Sequence, residues 1–191
     1  MGISSNELNK GQSGRDFEKD IESTFVGYSK GDIARLAMMP TPTRQIGSRN
    51  GLPIMIRSGK PPFDVYGYRV RDGVMIGAEL KASQRKNGLT LVAPDAHGDG
   101  LQFHQLDALA SLARCGGVSR LVWNNGGEIG VLLSDNIMIA AREYEHVLKT
   151  KLAGKAVPRG SGSIPWERFE PVEYTNLWGV VGFDWLMVEE R

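Results

Sequence analysis

Asp64, Glu79 and Lys81 are the residues of this chain best suited by type and spacing to do chemistry: an aspartate, then Glu-x-Lys fifteen residues later. Asp64 follows the proline pair in "PPFDVYG", and Glu79 and Lys81 close the apolar run "GAELKAS". Phosphodiester hydrolysis needs an activated water, a charge-stabilised leaving 3′-oxygen and a neutralised non-bridging oxygen. One or two Mg²⁺ ions can serve all three needs. Two carboxylates facing each other across a strand pair can hold such a hard cation through oxygen. Glu79 and Lys81 are two apart, so on a strand they point to one face, where Lys81 can orient or deprotonate the water or stabilise the pentavalent phosphate. Leu80 between them faces the core and offers its carbonyl as a further ligand. On spacing alone a surface ion pair on a half-exposed sheet is the better-supported reading of the trio. The alternation of Ala78, Leu80 and Ala82 with Glu79 and Lys81 favours a site.

The elements that must position these residues follow from period and punctuation. "FDVYGYRV" and "GVMIGAELKA" flank the turn signal Arg71-Asp72-Gly73 and should pair as an antiparallel hairpin, carrying Asp64 and Glu79 towards the same end. Upstream, Phe17, Ile21, Phe25 and Tyr28 mark an amphipathic helix ending near Gly27 or Gly31, with Ser13 as its cap. "ARLAMMPTPTRQIG" reads as an edge strand or the lead-in to one, because Pro40 and Pro42 lack donors. Downstream come a loop with a short strand at Leu89 to Val92, a helix from about Leu101 to the Gly116-Gly117 pair, and a hairpin turning at "NNGG". A third helix capped by Ser134 or Asp135 follows. Residues 153–163 are linker-like, and the tail beyond them holds three of the four Trp residues and should pack. The expected fold is α/β, a mixed sheet flanked by helices in the order αβββαβ. Residues 1–13 form a flexible arm and 14–191 one domain.

Composition constrains the setting. The chain has 191 residues, 41% hydrophobic and 24% charged, close to the average for soluble globular domains. No apolar run approaches the roughly 20 residues of a spanning helix, and the polar start "MGISSNELNKGQSGR" lacks the apolar centre of a secretory signal. The single cysteine, Cys115, rules out an internal disulfide and a multi-cysteine zinc site. These features point to a cytoplasmic protein without a membrane partner. The net charge of +1 conceals segregation: from Lys30 to Lys86 there are eleven Lys/Arg against four Asp/Glu. Within that third, the stretch 43–60 carries Arg44, Arg49, Arg57 and Lys60, three glycines and no acid, and Arg85 and Lys86 follow the Glu-x-Lys strand. Phosphate is the natural partner of such a segment. His97 and His104 lack further ligands for a transition metal. No "GxxxxGK[ST]" occurs, so no nucleotide triphosphate site is expected.

Five collinear strings resemble one family, the RecU-like Holliday junction resolvases of the PD-(D/E)xK nuclease superfamily, a pattern shared by phage and bacterial chains. "GRDFEKDI" is similar to the family's first helix, "MPTPTRQI" to its Pro-Thr-Pro segment and "FDVYGYRVRDGVMIGAELKAS" to its Asp…Glu-x-Lys hairpin. "FHQLDAL" and "FDWL" resemble its His-Gln helix start and closing element. The chain departs from the family at Pro62 and Phe63, where small hydroxyl residues are usual. The resemblance implies that Asp64 and Glu79 hold Mg²⁺, with Mn²⁺ a possible substitute, and that Lys81 is the catalytic lysine. It adds Glu18 as a further acidic member and Gln105 approaching from the second helix. Residues 43–60 would be a stalk entering a four-way DNA junction, cut by a homodimer with one site per opposed strand. The alternatives at this level are another nuclease of the superfamily, acting on duplex or branched DNA, and a non-catalytic DNA-binding protein on the same fold.

Overall fold

In the computed structural model, which describes residues 14–50, 52–57, 61–83, 88–93, 100–157 and 161–188, the apolar periods resolve into three helices and thirteen strands. Helix α1 (Gly14–Lys30) leads to β1 (Ala34–Met38), a hairpin of β2 (Thr43–Arg49) and β3 (Leu52–Arg57), and a second hairpin of β4 (Val65–Arg69) and β5 (Met75–Ser83). Short strands β6 (Leu89–Val92) and β7 (Leu101–Gln102) precede α2 (Phe103–Arg114), which is followed by β8 (Val118–Asn125), β9 (Glu128–Leu132) and α3 (Ser134–Leu152). The C-terminal part comprises β10 (Ser163–Ile164), a 3₁₀ turn at Trp166–Arg168, β11 (Glu170–Val172), and a last hairpin of β12 (Tyr174–Leu177) and β13 (Val180–Phe183).

Six strands make one mixed sheet in the order β1-β4-β5-β8-β9-β11. All its neighbours are antiparallel except β5 and β8, which run parallel and are joined through β6, β7 and α2. The β4–β5 pairing is the hairpin expected from Arg71-Asp72-Gly73, and Gly73 supplies the positive φ of 71° that the turn needs. β1 is the outer strand and stops before Pro40, as a residue without an N–H requires.

Two cores sandwich this sheet. On one face Leu106, Leu109 and Ala110 of α2 and Ile137, Ala140 and Tyr144 of α3 pack with Phe63, Leu121 and Trp123. On the other, Phe17, Ile21 and Tyr28 of α1 pack with Val65, Ile76, Ala78, Leu80 and the tail residues Phe183 and Trp185. The tail is thus packed, as its aromatic content demands. Trp185 donates through Nε1 to Thr24 Oγ1 (3.1 Å), and the Leu186 N–H donates to the Tyr28 hydroxyl (3.0 Å). Among the described residues, no helix is long and apolar enough to cross a membrane.

Several local expectations are corrected. The fully buried stripe of α1 takes in Thr24, because 17, 21, 24 and 28 keep close to the 3.6-residue period, while Phe25 packs partly buried against the same core. Thr24 satisfies its hydroxyl on Ile21 O at 2.6 Å. Helix α2 starts at Phe103, since Leu101 and Gln102 extend beside β6. Neither Ser134 nor Asp135 caps α3: the cap is Leu133, and Ser134 Oγ is turned inward, accepting Ser119 N–H (3.1 Å) and donating to Ser119 O (3.2 Å). The linker-like stretch 153–163 ends in structure, with Ser163 opposite Thr90. Residues 43–49 and 52–57 pair with each other as a two-stranded ribbon outside the main sheet, bulged between Gln45 and Gly47. The expected arm 1–13 lies outside the described residues.

Candidate metal centre

The hairpin brings Asp64 and Glu79 face to face. Asp64 immediately precedes β4, and continuing the Val65–Ala78 register by one residue sets it across from Glu79. Its backbone is fixed on both sides: its N–H donates to Ala78 O (3.0 Å), and its carbonyl accepts the Met39 N–H (2.6 Å) from the end of β1. Its side-chain Oδ2 accepts the Leu80 N–H at 2.9 Å. A carboxylate anchored in this way has little freedom to leave the strand end.

Glu79 lies near the middle of β5, between β4 and β8, and is fully buried at 0% exposure. The expected alternation explains its direction. Ile76, Ala78 and Leu80 enter the core beneath α1, so Glu79 points to the opposite face, towards α2. Two residues earlier on that face, Gly77 leaves room for α2: a Cβ there would lie 2.6 Å from the Leu112 side chain. The helix therefore approaches closely enough for Gln105 to donate through Nε2 to Glu79 Oε1. Lys81, with its side chain 20% exposed, places Nζ 2.7 Å from the same oxygen. A half-exposed surface pair would leave the glutamate in water, and this arrangement does not.

The electrostatics of the pair are set by burial. Burial pushes the Glu79 carboxyl up to about 8; the Lys81 ammonium works against that rise, and the Asp64 carboxylate adds to it. Glu79 Oε2 is buried without a hydrogen-bond partner. An orphaned buried carboxylate oxygen beside a second carboxylate suits a small hard cation, which completes its shell with oxygen ligands and water. Oxygen donors without Cys or His point to Mg²⁺ or Mn²⁺ rather than to zinc or copper.

The remaining predicted residues are placed as follows. The Leu80 side chain faces the α1 core as expected, and its backbone N–H holds Asp64. Glu18 is exposed on α1, the helix covering the opposite face of the sheet from Glu79. Among the described residues no three acidic, His or Cys side chains gather into a metal-holding group, so Glu18 is not brought to the pair. Arg44 and Arg49 are exposed on the β2 strand of the ribbon, and the Arg57 backbone pairs with Thr43 at its base. Lys60, Arg85, Lys86 and His97 lie outside the described residues. The Met39–Asp64 bond joins the two chain positions that flank the ribbon, one just past β1 and the other just before β4, beside the carboxylates. Along the ribbon, Ile46 is 57% and Leu52 71% exposed.

Three contributors escaped the sequence reading. Met39 carried no chemical signal. Trp123, which sits beside Lys81 in the β5–β8 register and donates to Ser83 Oγ (2.9 Å), depends on a non-local pairing. Gln102 was legible in principle, because Gln102-x-x-Gln105 has the spacing of a reciprocal helix cap. A cleft of about 650 Å³ opens elsewhere, lined by Arg69, Arg120, Ser134 and Leu186, and none of the carboxylate-site residues reaches it. No protein-family model matches this chain, and no curated protein matches it.

Proposed function

We propose that this protein is a divalent-metal-dependent endodeoxyribonuclease that resolves four-way DNA junctions, a RecU-like member of the PD-(D/E)xK superfamily. The observation that carries the reading is Glu79: a fully buried carboxylate opposite Asp64, with Lys81 on one oxygen and the other unpartnered. A sheet needs no such group for its stability, because a buried charge left incompletely paired is a net cost. The element order adds support. With the β2–β3 ribbon and the short β6 and β7 set aside, α1, β1, β4, β5, α2 and β8 follow the αβββαβ order that the resemblance implies, with the acids at the second and third strands.

Asp64 and Glu79 would hold Mg²⁺, or Mn²⁺ in its place. Such an ion supplies Lewis-acid charge at the phosphate and acidifies water. The protein's own groups do the rest. Leu80 N–H and the strand ends fix Asp64, and Gln105 and Lys81 fix Glu79. The Lys81 ammonium, partly open to solvent, stands where negative charge develops on the phosphate oxygens as the bond from phosphorus to the 3′-oxygen gives way to one from water. The ribbon supplies substrate selection in this reading, since it bears Arg44 and Arg49 and is inserted between Met39 and Asp64, which are joined at the carboxylates. Two copies, acting in the cytoplasm, would cut the two opposed strands.

The test is cleavage of a synthetic four-way junction against linear duplex of the same sequence, with Mg²⁺ and with chelator. Paired metal-dependent nicks on the junction are the expected result. Equal cutting of the duplex would make the protein a different nuclease of the superfamily, and tight binding without cutting would make it a non-catalytic DNA-binding protein.

A further inference from the structure

Gln105 makes two bonds that fix each other. Its Oε1 accepts the Gln102 N–H at 3.0 Å, closing the N-terminus of α2, and the cap is reciprocal because the Gln102 side chain accepts the Gln105 backbone N–H. A backbone N–H can only donate, so the amide oxygen must face it and the amide nitrogen must face away. That nitrogen is the donor to Glu79 Oε1, the oxygen that Lys81 also takes. Both donors thus converge on one oxygen and leave Oε2, buried and unpartnered, as the free corner of the carboxylate. Leu106 and Leu109, at 0% exposure, hold the helix itself in place.

We infer that Gln105 is a positioning residue for the metal centre: the α2 cap orients its amide so that Glu79 is held by Oε1 and presents Oε2 to the cation. The inference rests on the metal-centre reading and goes beyond it in giving the helix cap a part in metal affinity. Gln105 is not a catalytic residue in this account, because its reach ends on Glu79. Without it the carboxylate keeps only Lys81 and can turn about its last torsion, away from the orientation that presents an oxygen to the cation.

The experiment is calorimetric titration of Mn²⁺ into the metal-free full chain, with unfolding midpoints recorded in chelator, for wild type, Gln105→Met and Gln102→Ala. Both substitutions break half of the cap, but only the first removes the donor to Glu79. The expected result is a loss of at least about tenfold in Mn²⁺ affinity for Gln105→Met, the usual scale for a group that orients a metal ligand, with Gln102→Ala close to wild type at a similar midpoint. Should Gln105→Met fail to fold, Gln105→Asn, one methylene too short to span both partners, takes its place. Unchanged affinity in the Gln105 variant, or an equal loss in Gln102→Ala, overturns the positioning role while leaving the metal centre standing. Failure of the wild type to bind Mn²⁺ overturns both.

Discussion

Glu79→Gln should make the metal-free protein more stable at alkaline pH while abolishing its function. The carboxyl is fully buried, and burial raises it from the ordinary glutamate value of 4.5 to about 8. Below about pH 4.5 folded and unfolded chains both carry the proton, so the group costs nothing there. Between pH 4.5 and 8 the unfolded chain releases the proton and the folded chain retains it, so folded-state stability falls as pH rises. Above pH 8 the loss is complete, on the order of 5 kcal/mol at about 1.4 kcal/mol per pH unit. Glutamine has the same shape and never ionises, so its stability should lack this slope. The assay is urea unfolding of both proteins in chelator from pH 4.5 to 8.5, read as the difference between them, which cancels the other titrating groups. The gap in favour of Glu79→Gln should widen by several kcal/mol over that range and should close when Mg²⁺ is added to wild type at high pH. A difference that stays constant with pH would show that Glu79 is not held in a desolvating site, and the argument for a built metal centre would fall.

Three further outcomes follow from the same geometry. Asp64→Asn should abolish metal-dependent cleavage while junction binding measured by gel shift stays near wild type, because the amide keeps the size and loses the charge; substantial residual cutting would remove Asp64 from the site. Lys81→Ala should slow single-turnover cleavage at saturating enzyme by at least about a hundredfold with little change in affinity, whereas a collapse in affinity at normal rate would make Lys81 a phosphate anchor. Replacing Arg44, Arg49, Arg57 and Lys60 together by Gln should weaken junction binding far more than duplex binding and flatten its salt dependence; equal losses at matched salt would reduce the ribbon to a generic phosphate contact.

Local order along the chain was legible because it is written in near neighbours. The two-residue period of β5, the turn at Arg71-Asp72-Gly73 and the prolines after β1 each act within a few residues. The pairing of Asp64 with Glu79 therefore followed from the hairpin alone. The same strings carried the resemblance that supplied Gln105, and Gln105 does reach the site. Glu18 came from the same resemblance and is not gathered with the pair, because α1 covers the face that Glu79 turns away from.

Tertiary structure decided what kind of pair it is. Spacing cannot distinguish a solvated Glu-Lys pair from a buried one, since burial depends on what covers β5. Here that is β8, brought alongside in parallel from beyond a whole helix, and α2, admitted by Gly77. The stretch 43–57 does carry local signals that went unread, Asn50-Gly51 between its halves and Leu52, Ile54 and Ile56 at a two-residue period. It becomes a ribbon because the two halves pair with each other, and the positions that flank it, Met39 and Asp64, are joined by one backbone bond. Residue types and local periods thus determined the elements and the candidate chemistry. The desolvation that raises Glu79, and the two donors on its Oε1 that leave Oε2 bare, arise from contacts between segments far apart in the chain, and no window of sequence contains them.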